Sequence, residues 1–425
     1  MAKFIGYRCS LCKTEYLPGQ VTYTCPKDGG NLDVTLDYEA LRQKFQPEDL
    51  TCRAEESLWR YLPLLPVPDP GGEGTPLRAA GWTPVYSLAR LAAKLGLEHL
   101  WLKDESRNPT ASFKDRASAI VVARAREIGA VGATHESPVL VTASTGNAGA
   151  ALAGMSAAVG QKAVIFAPKS APPAKVAQLL VYGAKVILVD GTYDDAFDLT
   201  VKAAAEFGWY CRNTGYNPFT AEGKKTAAFE IWEWQQTTSI KADTSSSPSP
   251  LTIFVSVGDG NIISGIHKGF KDLQALGWLE KMPRLIGVQA EGSAAIANAF
   301  HAGTEKIIPI SAKTIADSIS VDLPRDGVRA VRAARETGGT YVQVSDDEIL
   351  QAIAALGPLG IFAEPAGAAA YAGLVKAVGQ GVVKADDPIL VMNTGSGLKD
   401  VRAGMQAVPE APVIEPTLEA VKEIL

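Results

Sequence analysis

Cysteine, histidine and an excess of positive charge are what this chain has least of. Five cysteines among 425 residues are too few for a disulfide scaffold, and the odd count fits a reducing compartment, so a cytoplasmic protein is expected. Lys and Arg number 41 against 46 Asp and Glu, a net charge of −5. That leaves no basic surplus to recruit nucleic acid or an anionic membrane. No stretch approaches the roughly 18–20 uninterrupted apolar residues that span a bilayer. The longest candidate, Ala148 to Gly160, is short and rich in Ala and Gly. The first residues reach Arg8 and a Cys pair before a signal-peptide core can form, so no leader is expected. At 47% hydrophobic and 20% charged, the chain is too apolar for intrinsic disorder. Its length supports a large buried core and favours an enzyme.

Three of the few cysteines cluster at the front. Cys9-Ser10-Leu11-Cys12 precedes Cys25-Pro26-Lys27-Asp28-Gly29-Gly30, the pattern of a small zinc ribbon over residues 1–35. Asp28 stands where a fourth cysteine belongs. Two readings stay open. Zinc is held by Cys9, Cys12, Cys25 and Asp28, or the knuckle folds without metal, which is slightly favoured because structural zinc normally takes four nitrogen or sulfur ligands.

Residues 61–76, rich in Pro and Gly, read as an extended linker within a 36–79 extension. From about residue 80 the texture alternates. Buried-strand runs (Val139–Thr142, Ala163–Phe166, Val186–Val189, Leu251–Val257, Leu285–Val288, Ile389–Met392) interleave with Ala-rich helical segments (Ala148–Val159, Pro173–Tyr182, Asp194–Phe207, Ile262–Leu276). This repetition predicts an α/β fold of parallel sheets covered by helices on both faces. The polar run Thr237–Pro250 reads as a surface insertion.

In such folds ligands bind where strands end and helices begin. Ser144-Thr145-Gly146-Asn147 follows one strand and opens a helix, an arrangement suited to a carboxylate or phosphate, although Ser, Thr and Asn also serve as ordinary caps. Val257-Gly258-Asp259-Gly260-Asn261 follows another strand. Its glycines allow close approach of phosphate oxygens to backbone N–H groups, but it is neither a Walker loop nor a full dinucleotide fingerprint. Lys114 opens a third helix, where the dipole helps keep an amine neutral and nucleophilic; by itself, a solvated lysine paired with Asp115 or Glu105 is the simpler reading.

The order of these segments carries more than any one of them. Ser112-Phe113-Lys114-Asp115-Arg116, Ser144-Thr145-Gly146-Asn147, the glycine loop and Asn393-Thr394-Gly395-Ser396-Gly397 succeed one another across residues 80–400. Gly81-Trp82-Thr83-Pro84, Glu222-Gly223-Lys224-Lys225-Thr226 and Glu364-Pro365-Ala366-Gly367 accompany them. The combination resembles the pyridoxal-phosphate enzymes of fold type II, the tryptophan-synthase β-subunit superfamily, and within them is most similar to the threonine synthases. The resemblance implies a pyridoxal 5'-phosphate lyase acting on a small amino-acid substrate, O-phosphohomoserine, and assembled as a homodimer. It implies that Lys114 forms the Schiff base with the cofactor and then shuttles protons, with Phe113 packed near the ring. Asn147 would meet the ring's phenolic oxygen and Thr394 its nitrogen, while Gly258, Asp259, Gly260 and Asn261 wrap the phosphate. Ser144, Thr145 and Gly146 would hold the substrate carboxylate. It also implies a catalytic unit over residues 80–425, with a small subdomain at about 117–212 and the cofactor in the cleft.

Three positions depart from the pattern. Thr220 stands where the family's Asn-Pro-aromatic-Arg segment offers an arginine to the substrate phosphate, and a hydroxyl does not replace a bidentate guanidinium. Lys103, Arg116, Lys224 or Lys225 are candidates to compensate, with Asn213 and Thr214 as further donors. Ala111 replaces an expected glycine, and Ser396 an expected His or Asn. The alternatives are a related lyase or β-replacement enzyme (a serine or threonine ammonia-lyase, or a cysteate-synthase-like enzyme), a non-catalytic ligand-binding relative whose ribbon recruits partners, and, least favoured, a nucleotide-binding oxidoreductase.

Overall fold

The computed structural model describes residues 4–52, 54–131, 136–237 and 249–425. Most of the polar run at 237–250 lies outside them. The apolar β-branched runs form parallel sheets because helices cover both faces and every side chain must be buried. The smaller sheet has the order β8 (Lys185–Val189), β7 (Ala163–Pro168), β6 (Leu140–Ala143), β9 (Tyr210–Cys211), all parallel. The larger runs β12 (Thr340–Val344), β11 (Arg284–Ala290), β10 (Thr252–Ser256), β13 (Ile389–Asn393), β5 (Leu100–Asp104), β4 (Val85–Ser87). Only its edge strand β4 is antiparallel. In front lies a three-stranded antiparallel sheet, with β1 (Phe4–Cys9) between β2 (Glu15–Tyr16) and β3 (Leu32–Leu36).

The chain leaves the larger sheet after β5, crosses through the helix Lys114–Val131 to build the smaller one, and returns after β9 through the helices Phe219–Lys224 and Thr226–Thr237. Register brings Asn393 level with Asp104, and Phe254 of β10 level with Val391. The segments following β5, β10 and β13 therefore leave the same edge of the sheet, where such folds place ligands.

The Pro-rich stretch is not an extended linker. A short helical segment spans Leu58–Leu64, and Leu64, Leu65 and Val67 are buried. Arg60 and the hydroxyl of Tyr61 both reach Glu233, Tyr61 at 2.7 Å, so these residues pack on the helix Thr226–Thr237. Its prolines mark a tightly turned path rather than a free one. Among the described residues no helix is long and apolar enough to cross a membrane.

Candidate active site

Lys114 is the first residue of its helix and lines an open cleft between the two sheets. Burial pushes its amine below the usual lysine range; Glu364 and Asp259 pull it back up, and Arg212 pushes it further down. The backbone holds it in place. Phe113 N–H donates to the carbonyl of Thr394, and Ser396 N–H donates to that of Ala111, so the lysine loop is stitched to the segment after β13.

The opposite wall is the turn after β10. Gly258, Asp259, Gly260 and Asn261 all line the cleft, with Thr394 and Thr214 beside them. Gly260 has φ +90°, and a Cβ at Gly258 would come within 2.8 Å of the Ile319 backbone, so the turn cannot carry larger side chains unchanged. It opens the helix Asn261–Ala275, whose first N–H groups have no carbonyl of their own helix to meet. The side chain of Asn261 is committed elsewhere, accepting from Lys224 Nζ at 2.5 Å and donating to Asp326 at 2.6 Å. Lys224 itself lines the cleft, and its amine is pushed well down by burial and by the nearby charges of Lys114 and Arg212. Arg212 is held by Thr214 at 2.6 Å and Ser118 at 3.2 Å.

Pyridoxal 5'-phosphate fits this donor set. A helix N-terminus meets a glycine turn, a lysine amine is pushed below its usual range by burial, and the hydroxyl of Ser256, immediately before the turn, is buried without a hydrogen-bond partner among the described residues. Lys114, Lys224 and the nearby Arg212 push one another's proton affinity down, a repulsion that a bound dianion would relieve.

A second cavity adjoins the first, sharing Ser318, Glu364 and Ala366 with it. Thr145, Gly146 and Asn147 line it, with Gly146 as the N-cap of the helix Asn147–Ala157. Ser144 does not; its N–H extends the smaller sheet by donating to Phe166. Lys175 and Lys399 line the same cavity. Contacts bridge the two sheets here: Asn147 Nδ2 to Glu364 at 2.7 Å and Ser318 at 3.3 Å, Lys399 to Gln178 at 3.0 Å, and Lys175 paired with Asp317. Burial pushes the Glu364 carboxyl up, against the Asn147 hydrogen bond and the charge of Lys114.

Several expected substrate groups lie elsewhere. Lys103 and Arg116 form a buried ion network, Lys103 with Glu230 at 2.7 Å and Arg116 with Glu105 at 2.7 Å and with Glu230. This network ties the larger sheet to the helix Thr226–Thr237, and its charges are already satisfied. Lys225 is likewise paired with Glu222 and Asp272. Thr220 is fully buried and lines neither cavity; its hydroxyl donates to Asn217 O at 2.7 Å and lies 3.2 Å from Asn261 Oδ1, bracing the cradle from behind. Phe113 is also core, with the Arg116 guanidinium 5.5 Å from its ring. Asn213 Oδ1 accepts from Thr142 and Ala143, while its Nδ2 is buried with no partner among the described residues.

Arg212, Ser256, Lys175, Lys399 and Glu364 are not among the site residues expected from the sequence. Arg212 and Ser256 each stand at the carboxyl end of a strand, a signal that was available. Lys175 and Lys399 are surface-like lysines until two segments far apart in the chain are brought together.

At the front of the molecule, Cys9, Cys12, Cys25 and Asp28 converge, each offering a ligand atom within 4.8 Å of the others.

Residues 77–395 match the pyridoxal-phosphate dependent enzyme family. The threonine synthase of Methanocaldococcus jannaschii is 38% identical over 424 residues, covering 98% of each chain. That of Methanosarcina acetivorans is 37% identical over 422 residues, again covering 98% of each. The fold is shared with more distant solved structures. Threonine deaminase isoform 2 from Solanum lycopersicum superposes with a TM-score of 0.63 at 21% identity, over 81% of this chain and 92% of that one. Diaminopropionate ammonia lyase from Escherichia coli also gives 0.63, at 23% identity over 77% and 87%. From its Lys114 loop and glycine cradle to its full-length relatives, the chain belongs to the fold type II pyridoxal-phosphate-dependent enzymes and, within them, to the threonine synthase family.

Proposed function

We infer that this protein converts O-phosphohomoserine and water into threonine and phosphate. The observation that carries the reading is the adjacency of two anion-suited cavities. One is built around Lys114, Lys224 and the glycine turn, and the other around the Thr145–Asn147 turn with Lys175 and Lys399. A cofactor phosphate and a doubly anionic substrate need such a pair.

Gly258, Asp259, Gly260 and Asn261, with Ser256 and Lys224, would hold the cofactor phosphate, and Thr394 would face its ring. When bound, pyridoxal 5'-phosphate supplies an electron sink conjugated to the substrate's α carbon. The residues of the chain do the rest. The helix start at Thr145–Asn147 receives the substrate carboxylate through backbone donors. Lys114, its amine pushed below the usual lysine range by burial, takes the proton from Cα, gives it up to the bound cofactor, and with its lone pair free again takes one from Cβ. Phosphate leaves with the Cγ–O bonding pair, toward Lys175 and Lys399, which take the place of the arginine that Thr220 replaces. Cγ gains one proton to become a methyl group, a hydroxyl from water adds at Cβ while the water's other proton goes to the phosphate, and Cα is reprotonated. Asn147 and Glu364, bonded across the cleft, position the two walls against each other.

The reading includes a cytoplasmic setting, supported by five free cysteines among the described residues, and a homodimer, which light scattering on the purified protein would test. Turnover in water labelled with heavy oxygen tests the chemistry. Label in the threonine hydroxyl and none in phosphate is expected; label in phosphate would mean simple phosphoester hydrolysis and overturn the reading.

A further inference from the structure

The front of the molecule contains a second constellation that the reaction does not use. Cys9 and Cys25 each close a turn of the same form. Cys9 N–H donates to Thr14 O and its carbonyl accepts from Lys13 N–H, while Cys25 N–H donates to Gly30 O and its carbonyl accepts from Gly29 N–H. Lys13 and Gly29, at matching places, are both left-handed, with φ 62° and 71°. Cys12 and Asp28 are therefore equivalent positions in two matched knuckles. Lys13, although not a glycine, takes the same left-handed conformation as Gly29 in the matching turn.

The ligand atoms of the four side chains lie within 4.8 Å of one another, within reach of a single metal ion, and two of the pairs have tetrahedral spacing. Tetrahedral zinc, with bonds of about 2.3 Å to sulfur and about 2.0 Å to oxygen, sets two sulfurs about 3.8 Å apart and a sulfur and an oxygen about 3.5 Å apart. Cys12 and Cys25 sulfurs are 3.7 Å apart, and Cys9 sulfur lies 3.3 and 3.6 Å from the two Asp28 oxygens. Backbone donors already support the ligands, Leu11 N–H to Cys9 Sγ at 3.3 Å and Cys12 N–H to Asp28 at 3.1 Å. Lys13 and Arg332 both donate to Ser10 O, and Lys27 to Thr14, which places cations around a cluster that would be net negative with zinc bound.

We propose that Cys9, Cys12, Cys25 and Asp28 bind one zinc ion in a closed structural site. With four protein ligands no position is left for water, so the metal is not catalytic. Its place in the fold gives it a task. Next to the second knuckle, Asn31 donates to the carbonyls of Gly215 and Arg325, Arg325 N–H donates to Asp259 of the glycine turn, and Tyr23 stacks 4.5 Å from Tyr216 while accepting from Cys211 N–H. The zinc knuckle thus clamps both segments that wall the phosphate cradle. This second step rests on the cofactor reading above, whereas the metal site does not.

Metal analysis of the full-length holoenzyme, purified under reducing conditions, tests the site. About one zinc per chain is expected, lost in Asp28→Ala and Cys12→Ser and retained in Cys52→Ser, whose thiol is exposed outside the knuckle. Asp28→Cys, which completes four thiolates, keeps the site testable if the disruptive variants fail to fold. It should hold zinc against a chelator for longer than the wild type. Zinc-free wild type with three free thiols, or with a disulfide between Cys12 and Cys25, would overturn the proposal. If the site is there, stripping the metal should weaken cofactor retention, read from absorbance without substrate. Unchanged retention would overturn the clamp while leaving the site standing.

Discussion

Asn147 Nδ2 donates to Glu364 Oε1 at 2.7 Å, joining the first residue of a helix on the smaller sheet to the N-cap of the helix Pro365–Gly379 behind the larger one. Glu364 also faces Lys114, whose amine its charge raises, while Arg212 lowers it. One carboxylate therefore holds the cleft together and tunes the lysine.

That arrangement gives a pair of opposite shifts. Only the neutral amine attacks an aldehyde, so cofactor capture by the apoenzyme speeds up as pH rises through the Lys114 pKa. Glu364→Gln removes a charge that raises this pKa, and its midpoint should fall. Arg212→Gln removes one that lowers it, and its midpoint should rise. Stopped-flow capture across pH checks both; shifts in the same direction would refute the assignment.

Ala111 carries a left-handed backbone, φ 63°, in the loop that delivers Lys114. A Cβ in that region costs roughly 1–2 kcal/mol. Ala111→Gly should therefore raise the thermal midpoint and leave cofactor absorbance intact. A lower midpoint would show that the Ala111 methyl packs better than its strain costs.

Thr220→Arg should not improve use of the phosphorylated substrate, because position 220 is buried against Asn217 and Asn261 and lines neither cavity. Forcing a guanidinium there costs about 1–3 kcal/mol or more in overpacking alone. The expected result is poorer cofactor retention, measured by equilibrium dialysis. A lower KM with cofactor binding unchanged would contradict this placement.

The parallel strands were legible because their β-branched runs are continuous, and Val139–Thr142 and Ile389–Met392 fall within one residue of β6 and β13. Strand β5 was not read as a strand. Leu100-Trp101-Leu102-Lys103-Asp104 ends in two charges that look like a surface, yet both are buried, with Lys103 neutralised by Glu230, which is distant in sequence. The same blindness to distant partners sent Lys103 and Arg116 to the substrate. The lysine loop and glycine turn were readable because they are local. Lys175 and Lys399 were not, since they belong to one cavity only after folding.

Removing those two lysines tests the substitute phosphate site. Lys399→Ala should raise KM for O-phosphohomoserine about tenfold or more, on the scale of 1.5–3 kcal/mol for a charge-assisted hydrogen bond, with Lys175→Ala giving a smaller rise because Asp317 already pairs with it. Cofactor absorbance should be unchanged in both. An effect on kcat alone would place these lysines outside ground-state phosphate binding.

Lys114→Ala should abolish the bound-cofactor absorption and lower turnover by roughly 100- to 10,000-fold, the range for loss of a positioned acid–base group. The most direct test of the whole account is the product balance of the wild-type holoenzyme. Given O-phosphohomoserine, it should release threonine and phosphate in equal amounts, with little 2-oxo acid formed from serine or threonine supplied alone. Deamination of serine or threonine that outpaces phosphate release would contradict the account.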